Sequence, residues 1–352
     1  MLLVIVGAGA SYDSVPHLPP PSPAGGAQQN WTPTVQRAPG THEEFRPPLA
    51  FQLFEDRKSF VAAMQTFPEC LPIIPMLRGN VPVEQQLAAF EEQANTFPPR
   101  RRQLLAIRFY LQSVIWNCQK NWHHHHNGIN NYATFLDAIE RWRHASNERV
   151  CIATFNYDTM FEEAMEQVLG MTFEHFGRYV SDPRYQLIKL HGSMDWGLEI
   201  NIPQSPRSWR DVIGNADVLT ASTRFRKAGL NVVFEDGTVG FPAIAIPVEK
   251  KSDFMCPPEH FQIIGNLLTS VNKIITLGWR AQEQHFLKML HSRLTGLPKD
   301  LDLMIVSGSA AGATETLANL GFAAPAPAKR SQIGNGFTGL INQLGLLELF
   351  LR

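Results

Sequence analysis

The chain has 352 residues, of which 44% are hydrophobic and 18% charged, and its net charge is −1. Its length allows one large α/β domain or two smaller ones, and its composition is that of an ordinary globular protein. The near-neutral charge offers no electrostatic case for nucleic acid, which usually requires a basic face, so we expect no direct nucleic-acid partner. No apolar run approaches the roughly 20 residues of a membrane span, so we expect no membrane association.

The four cysteines lie far apart and form no C-x-x-C pair: Cys70, Cys118, Cys151 and Cys256. This spacing fits free thiols in a reducing compartment and excludes the usual four-cysteine zinc module. The first apolar run, Leu2 to Val6, is only five residues long and follows no basic segment. It therefore predicts a first strand rather than a signal peptide, and we expect a cytoplasmic protein without a metal site.

Short apolar runs that read as buried strands alternate with stretches of helical periodicity. The predicted strands are residues 2–6, 150–155, 185–190, 242–246, 273–277 and 301–306. Strands separated by helices indicate right-handed crossovers and a parallel sheet. The predicted fold class is α/β, a Rossmann-like doubly wound parallel sheet with a helical insertion between the first and second strands.

The insertion begins with a proline-rich segment that holds nine prolines between Pro16 and Pro48, which predicts an extended or mobile loop. Helical periodicity then covers 50–146, for example through Val83, Leu87 and Phe90. Helical patterns return at 257–271, 281–294, 312–320 and 337–351. The predicted domains are a nucleotide-binding core (1–14 and 147–312), the loop and helical insertion (15–146) and a C-terminal helical segment (313–352).

Three polar motifs follow three of the predicted strands: Gly7 to Ser11 (GAGAS), Asn156-Tyr157-Asp158 and His191-Gly192. Ligands of open parallel sheets bind outside the carboxyl ends of the strands, so we expect the motifs to share one crevice. A glycine-rich turn after a strand is typical of a phosphate-binding loop, although the same turn also occurs without a ligand.

A hydride-transferring dehydrogenase is disfavoured by two departures from its glycine fingerprint. Position 12 is tyrosine where that fingerprint has a third glycine, and residues 24–36 contain no acidic side chain to hold a ribose. Ser11 and Asp13 are instead candidate contacts to phosphate or ribose, or else side chains that cap the turn.

Together the three motifs resemble those of the sirtuin family. The segments TFNYD (154–158) and KLHGSMDWG (189–197) are most similar to bacterial sirtuin-like domains that hydrolyse NAD in anti-phage defence. Leu277 to Arg280 and Val306 to Gly308 resemble two further family loops that follow strands. The resemblance spans residues 1 to about 310 and leaves the helical insertion without a match.

The resemblance implies an NAD⁺ glycohydrolase that releases nicotinamide and ADP-ribose and depletes NAD during defence. The sequence lacks the zinc ribbon of protein-deacylating sirtuins, which weakens the case for deacylation. Two alternatives stay open: deacylation of, or ADP-ribosyl transfer to, a protein, and a non-catalytic NAD- or ADP-ribose-binding regulator. NAD is then the substrate, and no zinc is expected. The family also implies control by homo-oligomerisation or by a separate sensor, such as a HerA-like ATPase or an Argonaute-type protein.

The predicted catalytic residues are Asn156, which would orient water or ribose hydroxyls, and His191, whose ordinary pKa suits a base. Alternatives are a buried structural amide and a turn histidine. The predicted NAD-binding residues are Gly7, Ala8, Gly9, Ala10, Ser11, Asp13, Asp158, Gly192, Gly278, Trp279, Arg280 and Ser307.

Three of these positions keep a structural alternative. Asp158 could accept backbone N–H groups, Arg280 could pair with Glu283, and Ser307 with Ser309 could cap a helix. We also predict that Thr159 and Glu162 form a capping box at the start of a helix.

Overall fold

The computed structural model describes residues 1–21, 42–79, 81–126, 128–202, 206, 208–247, 254–294, 301–321 and 330–352. The middle of the proline-rich segment therefore lies outside the described residues. The strands are β1 Leu2–Val6, β2 Val150–Thr154, β3 Tyr185–Lys189, β4 Gly192–Asn201, β5 Thr220–Lys227, β6 Gly240–Ile244, β7 Lys273–Leu277, β8 Asp302–Val306 and β9 Arg330–Ile333.

The helices alternate with these strands along much of the chain. They are α1 Ala8–Tyr12, α2 Lys58–Thr66, α3 Ile74–Leu77, α4 Val83–Gln93, α5 Pro98–His126, α6 Asn131–Ser146, α7 Met160–Leu169, α8 Trp209–Gly214, α9 Pro258–Leu267, α10 Gln284–Leu294, α11 Ala310–Leu320, α12 Gly336–Ile341 and α13 Leu344–Leu351. Within the described ranges, no helix is both long enough and apolar enough to span a membrane.

Six strands form one parallel sheet in the order β3-β2-β1-β7-β8-β9. Counted within this sheet alone, the order is 3-2-1-4-5-6, that of dinucleotide-binding Rossmann folds. Every residue of β1, β2, β3 and β8 is buried, as expected for strands covered by helices on both faces. The predicted α/β fold class is confirmed, including the helical insertion (α2 to α6) between β1 and β2.

The strand order reverses between β1 and β7, since β2 and β3 lie on one side of β1 while β7, β8 and β9 lie on the other. The strand ends are aligned by the pairing register, and one row crosses the sheet through Lys189, Thr154, Val6, Leu277, Val306 and Ile333. The loops that follow these residues therefore leave the sheet at one edge, where ligands of this class of fold bind.

The chain divides into two compact units. The first contains Met1–Pro20, His126–His191 and Lys251–Arg352, and with them the parallel sheet. The second contains Pro21–His125 and Gly192–Lys250. The domain limits predicted from the sequence stay a prediction.

The second unit holds a separate antiparallel sheet in the order β5-β4-β6, beside helices α2 to α5 and α8. The prediction that the run at 242–246 belongs to the parallel sheet was wrong. This strand is Gly240–Ile244, and it pairs antiparallel with β4, as in the register of Leu198 with Phe241. A short apolar run predicts a buried strand, but it carries no information about the strand with which it pairs.

Candidate functional site

The glycine loop that follows β1 packs backbone to backbone against the loop that follows β7. The N–H of Gly7 donates to the carbonyl of Leu277 at 2.9 Å, and the N–H of Gly9 donates to the carbonyl of Gly278 at 3.0 Å. A Cβ atom on Gly7 would lie 2.7 Å from the Gly278 oxygen, and one on Gly9 would lie 2.9 Å from the Gly278 Cα. The two glycines are therefore required by this contact, whether or not the loop also holds a phosphate.

Gly278 is the most constrained of these glycines. Its φ is +57°, and a Cβ atom there would lie 2.2 Å from the Ala10 nitrogen and 2.4 Å from the Gly9 carbonyl carbon. We expect Gly278→Ala to lower the free energy of unfolding by at least about 1–2 kcal/mol, the cost of a left-handed backbone alone, and to displace the glycine loop. Urea unfolding measures this loss.

The matched control is Gly345→Ala, which lies in helix α13 with nothing within 4 Å of an added Cβ atom. Because alanine favours a helix over glycine, this variant should gain up to about 1 kcal/mol. Equal unfolding free energies for the two variants would show that the close backbone contact at Gly278 does not contribute to stability.

Asn156 joins the second motif directly to the glycine loop. Its side chain is buried, with 7% of its surface exposed, and its Nδ2 donates to Ser11 Oγ at 2.9 Å and to the Tyr132 hydroxyl at 3.4 Å. Its Oδ1 is buried and accepts no hydrogen bond from the described residues. A buried carbonyl oxygen without a donor is costly, so this atom is suited to accept a hydrogen bond from a bound hydroxyl group or water.

Tyr132 was not predicted as a site residue. It lies in the first turn of α6, its ring packs on Phe161 and Phe337 at centroid distances of 5.1 and 5.2 Å, and its hydroxyl lies 2.8 Å from Ser11 Oγ. Burial raises the pKa of the Tyr132 phenol well above its usual value, so the group stays protonated. One aromatic residue in an amphipathic helix gives no sequence signal for such a contact.

His191 lies two residues after the end of β3, beside an aromatic cluster. The side chain is buried, and its ring meets Phe155 edge-to-face at 4.8 Å and lies 6.3 Å from the ring of Tyr157. Phe155 in turn stacks on Trp279 at 5.5 Å with an angle of 7° between the ring planes. The Asn-Tyr-Asp motif, the His-Gly motif and the 278–280 loop are thus held together by ring contacts.

In the loop that follows β7, Arg280 and Glu283 do not form the pair that we gave as a structural alternative. The carboxylate of Glu283 accepts the indole N–H of Trp279 at 2.5 Å, rather than taking Arg280 as its predicted partner. Arg280 is exposed, and its carbonyl accepts from the side chain of Asn319 at 2.9 Å. The roles of Trp279 and Arg280 in NAD binding stay predictions.

A buried ion pair lies beneath the Asn-Tyr-Asp motif. Lys189 is fully buried, and its Nζ lies 2.8 Å from Glu162 Oε1 and donates to the carbonyl oxygen of Asp158. The predicted capping box was wrong, because Glu162 faces Lys189 while Thr159 makes no side-chain cap. Asp158 takes the capping role, since its Oδ1 accepts the N–H of Met160 at 3.2 Å.

Two further predicted NAD-binding residues, Asp13 and Ser307, make contacts within the protein. Their role in NAD binding stays a prediction. The carboxylate of Asp13 accepts the backbone N–H of Thr338 at 3.0 Å and its hydroxyl at 2.5 Å. The backbone N–H of Ser307 donates to the carbonyl of Ile333, while Ser309 caps α11 by accepting the N–H of Gly312 at 3.0 Å.

Two further features stay predictions: the role of Gly192 in NAD binding and the absence of zinc. Gly192 is the first residue of β4 in the second unit. Among the residues that the structure describes, no group of three or more His, Cys, Asp or Glu side chains could hold a metal ion. The expected absence of zinc therefore stays a prediction.

The fold and the site define the class of the chain as an α/β protein with a Rossmann-like parallel sheet and a network of polar side chains at its carboxyl edge. No family model matches the sequence, and no curated protein matches it.

Several solved structures are similar to this chain. A Sir2 homologue in complex with NAD is 12% identical with a TM-score of 0.37, over 100% of this chain and 88% of that one. Sir2Tm bound to a propionylated peptide is 11% identical with a TM-score of 0.37, over 100% of this chain and 94% of that one. At this identity and TM-score, the matches do not bear on the activity of this chain.

Proposed function

We propose that the chain is a sirtuin-like NAD⁺ glycohydrolase, which converts NAD⁺ to nicotinamide and ADP-ribose. One observation carries the proposal: the buried Asn156 amide is held by Ser11 of the glycine loop, and its Oδ1 has no donor among the described residues. This contact joins two of the three resembling motifs at the carboxyl edge of the sheet, next to the point where the strand order reverses.

The chemistry of the bond fits these side chains. Cleaving the nicotinamide–ribose bond develops positive charge on the ribose ring, and nicotinamide already leaves as a neutral molecule, so no acid is needed to expel it. The Asn156 oxygen can accept a hydrogen bond from a ribose hydroxyl or from the attacking water without introducing a titrating charge. His191, two residues past the end of the neighbouring strand, is the candidate base that removes a proton.

Water is proposed as the acceptor on the basis of the cysteine pattern. The sequence contains no C-x-x-C pair, whereas the zinc ribbon of deacylating sirtuins has two. A groove between the sheet and a zinc module therefore has no counterpart in the motifs of this chain. Deacylation and ADP-ribosyl transfer remain the alternatives to be separated by experiment.

We further propose that the activity serves anti-phage defence by depleting NAD and is controlled by assembly. An always-active NAD hydrolase would be toxic, so a homo-oligomer or a separate sensor, such as a HerA-like ATPase or an Argonaute-type protein, would switch it on. Helix α13 is the candidate contact surface, since Leu346 and Leu349 are 45% and 65% exposed.

The test is release of nicotinamide from NAD by the purified full-length chain, alone and mixed with the product of its neighbouring gene. Release with water as the sole acceptor supports the glycohydrolase. Release that requires an acylated or acceptor peptide would instead support the deacylase or transferase. Binding of NAD or ADP-ribose without nicotinamide release in any assembly state would support the non-catalytic regulator.

A further inference from the structure

The hydroxyl of Tyr132 is the member of the Asn156 network that comes from outside the motifs. It lies in the helical insertion, 24 residues before Asn156, and its side chain is fully buried. Its ring is held by Phe161 and Phe337, so the position of the hydroxyl is fixed by packing. The contact therefore ties helix α6 to the loop that follows β2.

Counting protons assigns the direction of each hydrogen bond. Among the described residues, the Tyr132 hydroxyl meets Ser11 Oγ and Asn156 Nδ2. An amide nitrogen donates only, so Ser11 Oγ is the acceptor that the described residues offer to the phenol proton. Ser11 Oγ then accepts from Tyr132 and from Asn156, and its own proton is directed away from both.

This arrangement directs a donor and an acceptor away from the three-atom network. Asn156 Nδ2 faces both hydroxyl oxygens, so the amide cannot turn over without losing these two contacts, and Oδ1 stays the outward acceptor. The Ser11 hydroxyl proton is the outward donor. A hydroxyl group or a water can satisfy both at once, because it donates and accepts.

We propose that Tyr132 is a positioning residue, which fixes the orientation of the Asn156 amide and of the Ser11 hydroxyl in the proposed NAD-cleaving site. The kinetic consequence of this inference rests on the proposed function. The donor and acceptor directions of the hydrogen bonds do not. Without the phenol, the Ser11 proton can turn toward Asn156, and the amide is free to present either end to the substrate.

The kinetic test compares Tyr132→Phe with wild type at saturating and limiting NAD. The variant keeps the ring contacts and loses the hydroxyl, so kcat should fall by about 10- to 100-fold, as expected when a reacting group is misplaced, while KM stays within about twofold. The matched control is Tyr185→Phe, which removes another buried hydroxyl, one that donates to Glu140 Oε2 at 2.6 Å. The control should keep the wild-type kcat. Equal kcat values for all three proteins would overturn the proposal.

A second measurement does not depend on turnover. The side-chain amide protons of Asn156, followed by NMR in the full-length ligand-free protein, should exchange slowly in wild type and in Tyr185→Phe, and at least about tenfold faster in Tyr132→Phe. Unchanged exchange in Tyr132→Phe would refute the positioning role. If wild type releases no nicotinamide, the proposed function fails, and the exchange rates still decide whether Tyr132 orients Asn156.

Discussion

Replacing Asn156 by alanine is expected to lower kcat for nicotinamide release by about 100-fold or more, the usual loss when a preorganised polar group at a reacting centre is removed. The substitution deletes the unpaired Oδ1 and leaves the Ser11 and Tyr132 hydroxyls bonded to each other at 2.8 Å. His191→Ala should lower kcat by about 10²- to 10⁴-fold, the range for loss of a general base. Steady-state kinetics at saturating NAD measures both effects.

Two control variants separate these losses from general damage to the fold. Gln186→Leu removes a buried amide on β3 that donates to the carbonyl of Asp182, four residues before it in the chain. His260→Phe replaces another buried histidine, which contacts the carbonyl of Phe176 at 3.1 Å. Both controls should keep kcat near wild type. Wild-type kcat in Asn156→Ala and His191→Ala would remove those residues from the site.

The placement of the three motifs at one edge of the sheet could be predicted from the sequence. Each of the three motifs follows an apolar run, and parallel strands that end in register bring their following loops to one edge. The pairing of Val6 with Thr154, and of Thr154 with Lys189, places the motifs at that edge. This placement depended only on strand direction, because parallel strands end at the same edge whatever their order, and buried runs separated by helices indicate parallel strands.

The contacts that hold the site together could not be predicted in the same way. Tyr132 lies in a helix that contains none of the motifs. Its hydroxyl contacts Ser11 and Asn156, which lie 121 and 24 positions away in the chain. Strand β9 was missed because its sequence, Arg330–Ile333, is mostly polar at the edge of the sheet. A periodic pattern shows which face of an element is buried, but not which distant side chain it meets.

Lys189 shows the same limit, and it carries the largest expected effect on stability. A lysine that ends a buried strand reads as an exposed residue, yet its ammonium group lies 2.8 Å from Glu162 with 0% of the side chain exposed. We expect Lys189→Met to lower the free energy of unfolding by about 3–5 kcal/mol, because the Glu162 carboxylate is left buried without its cation. Urea unfolding measures the loss.

The double variant Lys189→Met/Glu162→Gln tests the cause of that loss. It removes the unpaired charge and keeps an acceptor for the Tyr179 hydroxyl, which donates to Glu162 Oε1 at 3.3 Å. Most of the lost stability should return, since a buried pair contributes little beyond offsetting its own desolvation. The exposed pair Arg141–Asp137 gives the comparison, and Arg141→Met should cost no more than about 0.5 kcal/mol.

A double variant as unstable as Lys189→Met would locate the loss elsewhere, in the hydrogen bond from Lys189 to the carbonyl of Asp158. That bond connects the end of β3 to the loop that carries Asn156. Such a result would therefore assign Lys189 to the support of the candidate site rather than to charge neutralisation. In that case kcat should be below the wild-type value in both Lys189→Met and the double variant, even after correction for the folded fraction.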